Sequence, residues 1–193
     1  LTEKGRNSQL NHYFSGGDLH ILKGNISAYL DESQIVNLDS LIARARSFSA
    51  RTRKSDDRVI FVLKASIDET NSINGTGRLE FEVDMPLSID ELDQIFLDSG
   101  FSYETKWSRD RVEYQYGAYV VCLDQNSGYG WLAELERVVT DESQMEMIKS
   151  EIRDEISSLG FSELSQDRVN RMYQHYVHVW PHYYGTKNWF NVE

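Results

Sequence analysis

Arg51 and Arg53 stand two residues apart in "SFSARTR", and Glu134 and Glu136 repeat that spacing in "WLAELE". So do Arg109, Arg111 and Glu113 in "SRDRVE", and Arg78, Glu80 and Glu82 in "GRLEFEVD". On a strand, residues i and i+2 share one face. Arg51/Arg53, Arg109/Arg111, Glu80/Glu82 and Glu134/Glu136 therefore set like charges side by side, where they repel unless opposite charge lies between them. Paired carboxylates suit a divalent cation with oxygen ligands, Mg²⁺ or Mn²⁺. Paired guanidiniums match phosphoryl oxygens. Acids, cation and bases together would neutralise a polyphosphate. The plainer alternative sets acidic strands beside basic ones on a wet surface, where each ion pair contributes about 0–1 kcal/mol. The same habit on four strands favours faces that line an enclosed channel.

These residues need strands to carry them. "LNHYF" reads as a short strand, followed by a turn at "SGGD". Helical spacing runs from about Ser27 to Ser47, with Leu30, Ile35, Leu38, Leu41 and Ile42 as its apolar positions. "SFSARTR" and "RVIFVLKAS" follow as strands, the second carrying Lys64, and "DETNSINGTG" is a loop of turn formers. In "GRLEFEVD", Leu79, Phe81 and Val83 alternate with fully charged residues. "PLSIDELDQIFLDSG" predicts a helix with a capping box at Ser88 and Glu91 and a stop at Gly100. Strands "YETKWSRDRVEYQY", "AYVVCLD" and "WLAELERVV" come next, with a tight turn at "QNSGYG". Helices over about Asp141–Leu159 and Ser165–Trp180 precede an aromatic tail. The class is α+β with an antiparallel sheet or barrel.

The chain of 193 residues is long enough for one domain with its own core. Its net charge of −11 and pI near 4.9 argue against general nucleic-acid or anionic-membrane binding, though a local basic site remains compatible. No apolar run approaches the roughly 20 residues of a membrane helix. The single cysteine, Cys122, lies in the apolar run "AYVVCLD" and reads as a buried reduced thiol, which points to the cytoplasm. No Ser/His/Asp or Cys/His arrangement competes as a nucleophilic centre.

In order along the chain, the R-x-R of Arg51 and Arg53, the strand ending in Lys64, and the R-x-E-x-E of Arg78, Glu80 and Glu82 resemble the CYTH group of triphosphate tunnel metalloenzymes. A helix ending in Gly100-Phe101, the basic strand "KWSRDRVEY" and the string "CLDQNSGYGWLAELE" continue the likeness, which runs from about Gln9 to Tyr173. That group includes class IV adenylyl cyclases, thiamine triphosphatases and inorganic triphosphatases. The resemblance implies an antiparallel eight-stranded β-barrel whose lumen is a charged tunnel, flanked by helices. It also implies that Arg51, Arg53, Lys64, Arg78, Arg109 and Arg111 bind the triphosphate. Glu134 and Glu136 would hold Mg²⁺ or Mn²⁺, with Glu80, Glu82 and Asp124 as further ligands or as partners of the arginines. Glu134, Glu136 and Lys64 would then be the catalytic groups.

The chain departs from the family pattern in two places. Nothing matches the first E-x-E-x-K strand, and residue 1 is leucine, so the expectation is a barrel whose first strand is missing from this chain. The helical insertion over 23–47 is longer than usual and is expected to pack on the outside. The whole chain reads as a single domain ending in an aromatic tail at 181–193. His175, His178 and His182 share helical spacing, but no acid or cysteine completes a zinc site with them. The leading functional reading is metal-dependent hydrolysis of a triphosphate, inorganic or carried by a small organic group. A class IV-type adenylyl cyclase and a non-catalytic polyphosphate- or nucleotide-binding module are the alternatives. The partner is a triphosphate-bearing small molecule, with no nucleic acid and no membrane, and the sequence leaves monomer and homodimer both open.

Overall fold

A computed structural model describes residues 1–66 and 78–191, with the backbone alone at Arg78 and Glu142. The elements follow in the order β1 (Thr2–Gly16), α1 (Leu19–Ile26), α2 (Glu32–Arg44), β2 (Ser47–Ser55), β3 (Arg58–Ser66), β4 (Arg78–Met85) and α3 (Ile89–Asp98). Then come β5 (Phe101–Tyr116), β6 (Tyr119–Asn126), β7 (Gly130–Glu136), α4 (Met145–Ser158) and α5 (Gln166–Val179). The loop expected over 68–77 lies outside the described residues. The strands form one sheet in the order β4-β3-β2-β1-β5-β6-β7. The α+β class and the antiparallel pairing agree with the sequence. Among the described residues the sheet has seven strands, as a barrel lacking its first strand requires, but it is open, with β4 and β7 as its edges.

Residues 9–66 and 78–108 form one compact unit, and residues 1–8 and 109–191 form another. In the first, the β2–β3 and β3–β4 registers place Phe14, Ala50, Phe61, Leu63 and Phe81 on one face of the sheet. There they meet Leu22 and Ile26 of α1, Leu38 and Leu41 of α2, and Leu92 and Phe96 of α3. Burying each such side chain contributes about 1.5–3 kcal/mol. The region 23–47 thus packs on the sheet as two helices rather than one. Asp18 caps α1, accepting from His20 N at 2.7 Å, and Asp31 with Gln34 forms a capping box that restarts the chain at α2. The run read from about Ser27 to Ser47 is thus a 3-10 turn over Ser27–Tyr29 followed by α2, and α1 precedes it. The capping box expected on α3 is present, with Ser88 N donating to Glu91 Oε2 at 2.7 Å.

The opposite face of this unit carries Asn11 and Tyr13 of β1, Arg51 and Arg53 of β2, Lys64 of β3, and Glu80, Glu82 and Asp84 of β4. The period-two reading of β4 is therefore correct, with Phe81 toward the helices and the acids away from them. β1 runs much further than "LNHYF". Its first half is exposed on both sides and so offers no apolar alternation to read.

In the second unit, β5, β6 and β7 pair so that Arg109, Arg111, Glu113, Cys122, Asp124, Asn126, Glu134 and Glu136 share one face. Along β6 this polar face is the buried one: Cys122 and Asp124 are each 1 % exposed, whereas Leu123 on the other face is 37 % exposed. A strand that turns its charges inward inverts the usual arrangement, and a buried polar residue is the informative observation. Beyond the β6–β7 turn, Gly128 N donates to Asn188 O at 2.8 Å and Phe190 N donates to Gly128 O at 2.7 Å. The aromatic tail is thereby tied to that turn, with Phe190 packed edge-on against Tyr129 and Tyr183. α4 begins at Met145, later than spacing suggested, because the Asp141 carboxylate accepts from Ser143 N and holds a 3-10 turn ahead of it.

Candidate functional site

The first unit contributes a row of cations on the face away from its core. Arg53 is 8 % exposed; its Nε donates to Asn11 Oδ1 at 2.9 Å and its Nη1 to Glu82 Oε2 at 3.3 Å. Lys64 Nζ donates to Glu80 Oε1 at 2.7 Å. Arg51 differs from both. Its guanidinium lies 5.3 Å from the centre of the Tyr13 ring and donates to the Tyr13 hydroxyl at 2.5 Å. No carboxylate pairs with it among the described residues, and its Nε is a buried donor with no acceptor. A buried donor left so carries a desolvation cost of about 1–3 kcal/mol. Glu80 and Glu82 serve here as partners of bases. Arg78 opens β4 opposite Ser66, and its side chain is not among those described.

A denser network occupies the second unit. Arg111 Nε donates to Asp124 Oδ1 at 2.7 Å, and its Nη2 donates to Asp124 Oδ2 and to Glu134 Oε2, each at 2.6 Å. Arg109 Nη1 donates to Asp124 Oδ2 at 2.7 Å and lies 3.6 Å from Glu134 Oε1. Burial works against the Arg111 charge, but the hydrogen bond to Asp124 and the charges of Glu134 and Asp124 outweigh it and raise its pKa. At Glu134, burial favours the neutral acid. The positive charges of Arg111 and Arg109 prevail, helped by hydrogen bonds from Glu136 and Arg111, and hold the carboxyl at about 2. Asp124 thus lies with the two arginines.

Glu134 and Glu136 also meet a third group. Donor atoms of Cys122, Glu134 and Glu136 all lie within 4.8 Å of one another. Two carboxyl groups in hydrogen-bond contact require either a shared proton or a cation beside them. Donors at about 2.0–2.3 Å from one ion are at most about 4.5 Å apart, so the set fits a single divalent cation after a small adjustment. Burial pushes the Cys122 thiol up to about 12; Arg111 opposes this and the charges of Glu136, Glu134 and Glu113 add to it.

Sequence reasoning missed Asn11 and Tyr13, which hold Arg53 and Arg51, and placed Cys122 only as a buried strand residue. The alternation Gln9, Asn11, Tyr13 in "QLNHY" was the available signal for the first two. A buried polar cluster in α3 was missed altogether. The Asp93 carboxylate accepts from His12 Nδ1 at 2.6 Å, Thr52 Oγ1 at 2.5 Å and the Tyr103 hydroxyl at 2.6 Å. An ionised carboxylate only accepts, so the proton of this pair sits on His12 Nδ1. The histidine trio of the tail forms no metal group among the described residues; His175 packs edge-on against Phe190.

Sequence and fold match a known class. Residues 37–170 match the CYTH domain, more than half of the chain, and the chain belongs to that family. Its members bind triphosphate substrates and depend on a metal. Among solved structures, a protein of Pyrococcus horikoshii OT3 superposes with a TM-score of 0.61 at 17 % identity, covering 86 % of this chain and 82 % of its own. A conserved hypothetical protein of Pyrococcus furiosus gives 0.60 at 17 % identity, covering 84 % and 78 %. A Vibrio parahaemolyticus protein provisionally named an adenylate cyclase gives 0.53 at 11 % identity, covering 89 % and 83 %. Likeness at these identities is one of fold. No curated protein matches in sequence. No described helix is long and apolar enough to cross a membrane.

Proposed function

We propose that this chain hydrolyses a triphosphate, inorganic or borne by a small organic group, with Mg²⁺ or Mn²⁺ bound at Glu134 and Glu136. The observation that carries the anion half of this reading is Arg51, a cation that has no carboxylate partner, and whose buried Nε has no acceptor, among the described residues. Every other cation on that face among the described residues already has an acid. A phosphoryl oxygen is the acceptor that guanidinium geometry suits best.

In this reading the candidate phosphoryl-binding groups are Arg51, Arg53, Lys64 and Arg78 within the first unit and, taken by itself, Arg109 and Arg111 within the second. Phosphoryl transfer requires charge neutralisation and in-line positioning more than a covalent nucleophile. The oxygen of a water molecule forms the new bond to the terminal phosphorus, the bridging P–O bond breaks, and its electron pair leaves with the remaining diphosphate. A divalent cation, when bound, neutralises the developing charge and polarises the phosphoryl group. Glu134 and Glu136 would fix it, while the charge of Arg111 keeps Glu134 ionised.

One assay separates this from the other two activities. Purified chain is given tripolyphosphate or ATP with Mn²⁺, and released phosphate and cyclic AMP are both measured. Phosphate supports the proposal. Cyclic AMP from ATP in its place assigns the cyclase, and tight binding without either product assigns a binding module.

A further inference from the structure

Holding a cation with Glu134 and Glu136 leaves Cys122 unexplained. The cross-strand register sets Cys122 directly opposite Glu134 on β7 and opposite Glu113 on β5, with Glu136 two residues further along β7. Here a free thiol, 1 % exposed, lies within 4.8 Å of the carboxylate oxygens of Glu134 and Glu136 and forms no hydrogen bond among the described residues.

We propose that Cys122 is a third metal donor, and that its sulfur shifts this site from Mg²⁺ toward thiophilic divalent ions of the zinc class. This rests on the metal reading of Glu134 and Glu136 given above. Carboxylate oxygens alone suit hard ions such as Mg²⁺ and Mn²⁺, whereas a thiolate selects softer ones. One sulfur and two carboxylates make three protein donors. That is the number found at reactive zinc sites, where a fourth position stays open for water or substrate. Arg111 lies on Glu134 from the adjoining row and bounds the site on that side.

The test uses the full chain stripped of metal and titrated with Co²⁺, Cd²⁺ and Mg²⁺. The wild-type protein should show a sulfur-to-cobalt charge-transfer band in the near ultraviolet, and Cys122→Ser should lose it. Cd²⁺ affinity should fall by about tenfold or more in Cys122→Ser, with Mg²⁺ affinity held within about twofold. Val121→Ser, on the other face of β6, should alter neither. Should Cys122→Ser fail to fold, the cadmium NMR shift of the wild-type protein reports a sulfur ligand without any substitution. Cobalt bound without the band, or a cadmium shift typical of oxygen ligands, overturns the sulfur assignment and leaves the carboxylate site standing. Failure of every ion to bind, with Glu134→Gln behaving as wild type, overturns both.

Discussion

Arg111 and Asp124 stand directly opposite each other on β5 and β6, joined by two hydrogen bonds of 2.7 and 2.6 Å and both nearly excluded from solvent. Removing one member of a buried pair costs up to about 3–5 kcal/mol, less where another partner remains, as Glu134 does for Arg111, whereas replacing both with apolar residues costs far less. Asp124→Ala should therefore lower the unfolding free energy in urea by up to that amount. The double variant Arg111→Met/Asp124→Leu should lose much less than the sum of its parts, and simple additivity would show the two groups to be uncoupled.

Arg51 and Arg53 should answer differently to truncation. Arg51→Ala should weaken tripolyphosphate binding by about 10–100-fold, the worth of a hydrogen bond to a charged group. It should scarcely change stability, since no acid is left behind. Arg53→Ala should weaken binding and also destabilise the fold, because Asn11 and Glu82 lose their partner. Calorimetric binding and thermal melts of both variants check this; unchanged affinity in Arg51→Ala removes it from the anion site.

Glu134→Gln and Glu136→Gln keep the shape of the side chain and remove its charge. Turnover in Mn²⁺ should drop by at least about a hundredfold, since metal stabilisation of the transition state is worth several kcal/mol. Far-ultraviolet circular dichroism should be unchanged. Full activity in either variant would take the metal elsewhere.

Asp93 sets an acid limit. Its burial favours the neutral form, yet hydrogen bonds from His12, Thr52 and Tyr103 prevail and hold its pKa below 3.8. A depressed carboxylate stabilises the fold fully above its unfolded value, and that contribution fades as pH falls from there through the folded value. Stability should accordingly decline below about pH 4, and the decline should be shallower in Asp93→Asn. Equal slopes of melting temperature against pH would place the acid sensitivity elsewhere.

Gly128 has no room for a side chain. A Cβ there would meet the Tyr176 ring at 2.6 Å and Phe190 at 2.9 Å, and the backbone φ of +80° disfavours any L residue. Gly128→Ala should cost roughly 1–3 kcal/mol or more. Thermal melts and protease sensitivity of the tail report it; an unchanged melting temperature would mean that the tail is not held at this turn.

Period-two alternation let the sequence disclose which residues of β2, β4, β5 and β7 share a face, and so most of the charged groups. It could not show which strands adjoin. The partners of Arg53 and Lys64 were visible only as acids of suitable number, and their pairing with Glu82 and Glu80 depends on the β3–β4 register. Cys122 looked like an ordinary apolar position because its own strand neighbours, Val121 and Leu123, are apolar; its acids come from β5 and β7. The Asp93 cluster was hidden for a similar reason, since it joins one helix to three strands far apart in the chain. β1 was read short because residues 2–6 are exposed throughout and carry no periodic signal.

The β6–β7 hairpin also constrains how this chain can change in length. Adding one residue to β7 ahead of Glu134 would rotate both of its glutamates to the side now occupied by Trp131, stripping the cluster of two acids in a single event. Adding two would restore the original facing at the expense of pairing. Relatives that keep this chemistry should therefore vary in length at the Ser127–Tyr129 corner or beyond Glu136, and within the strand only by even steps.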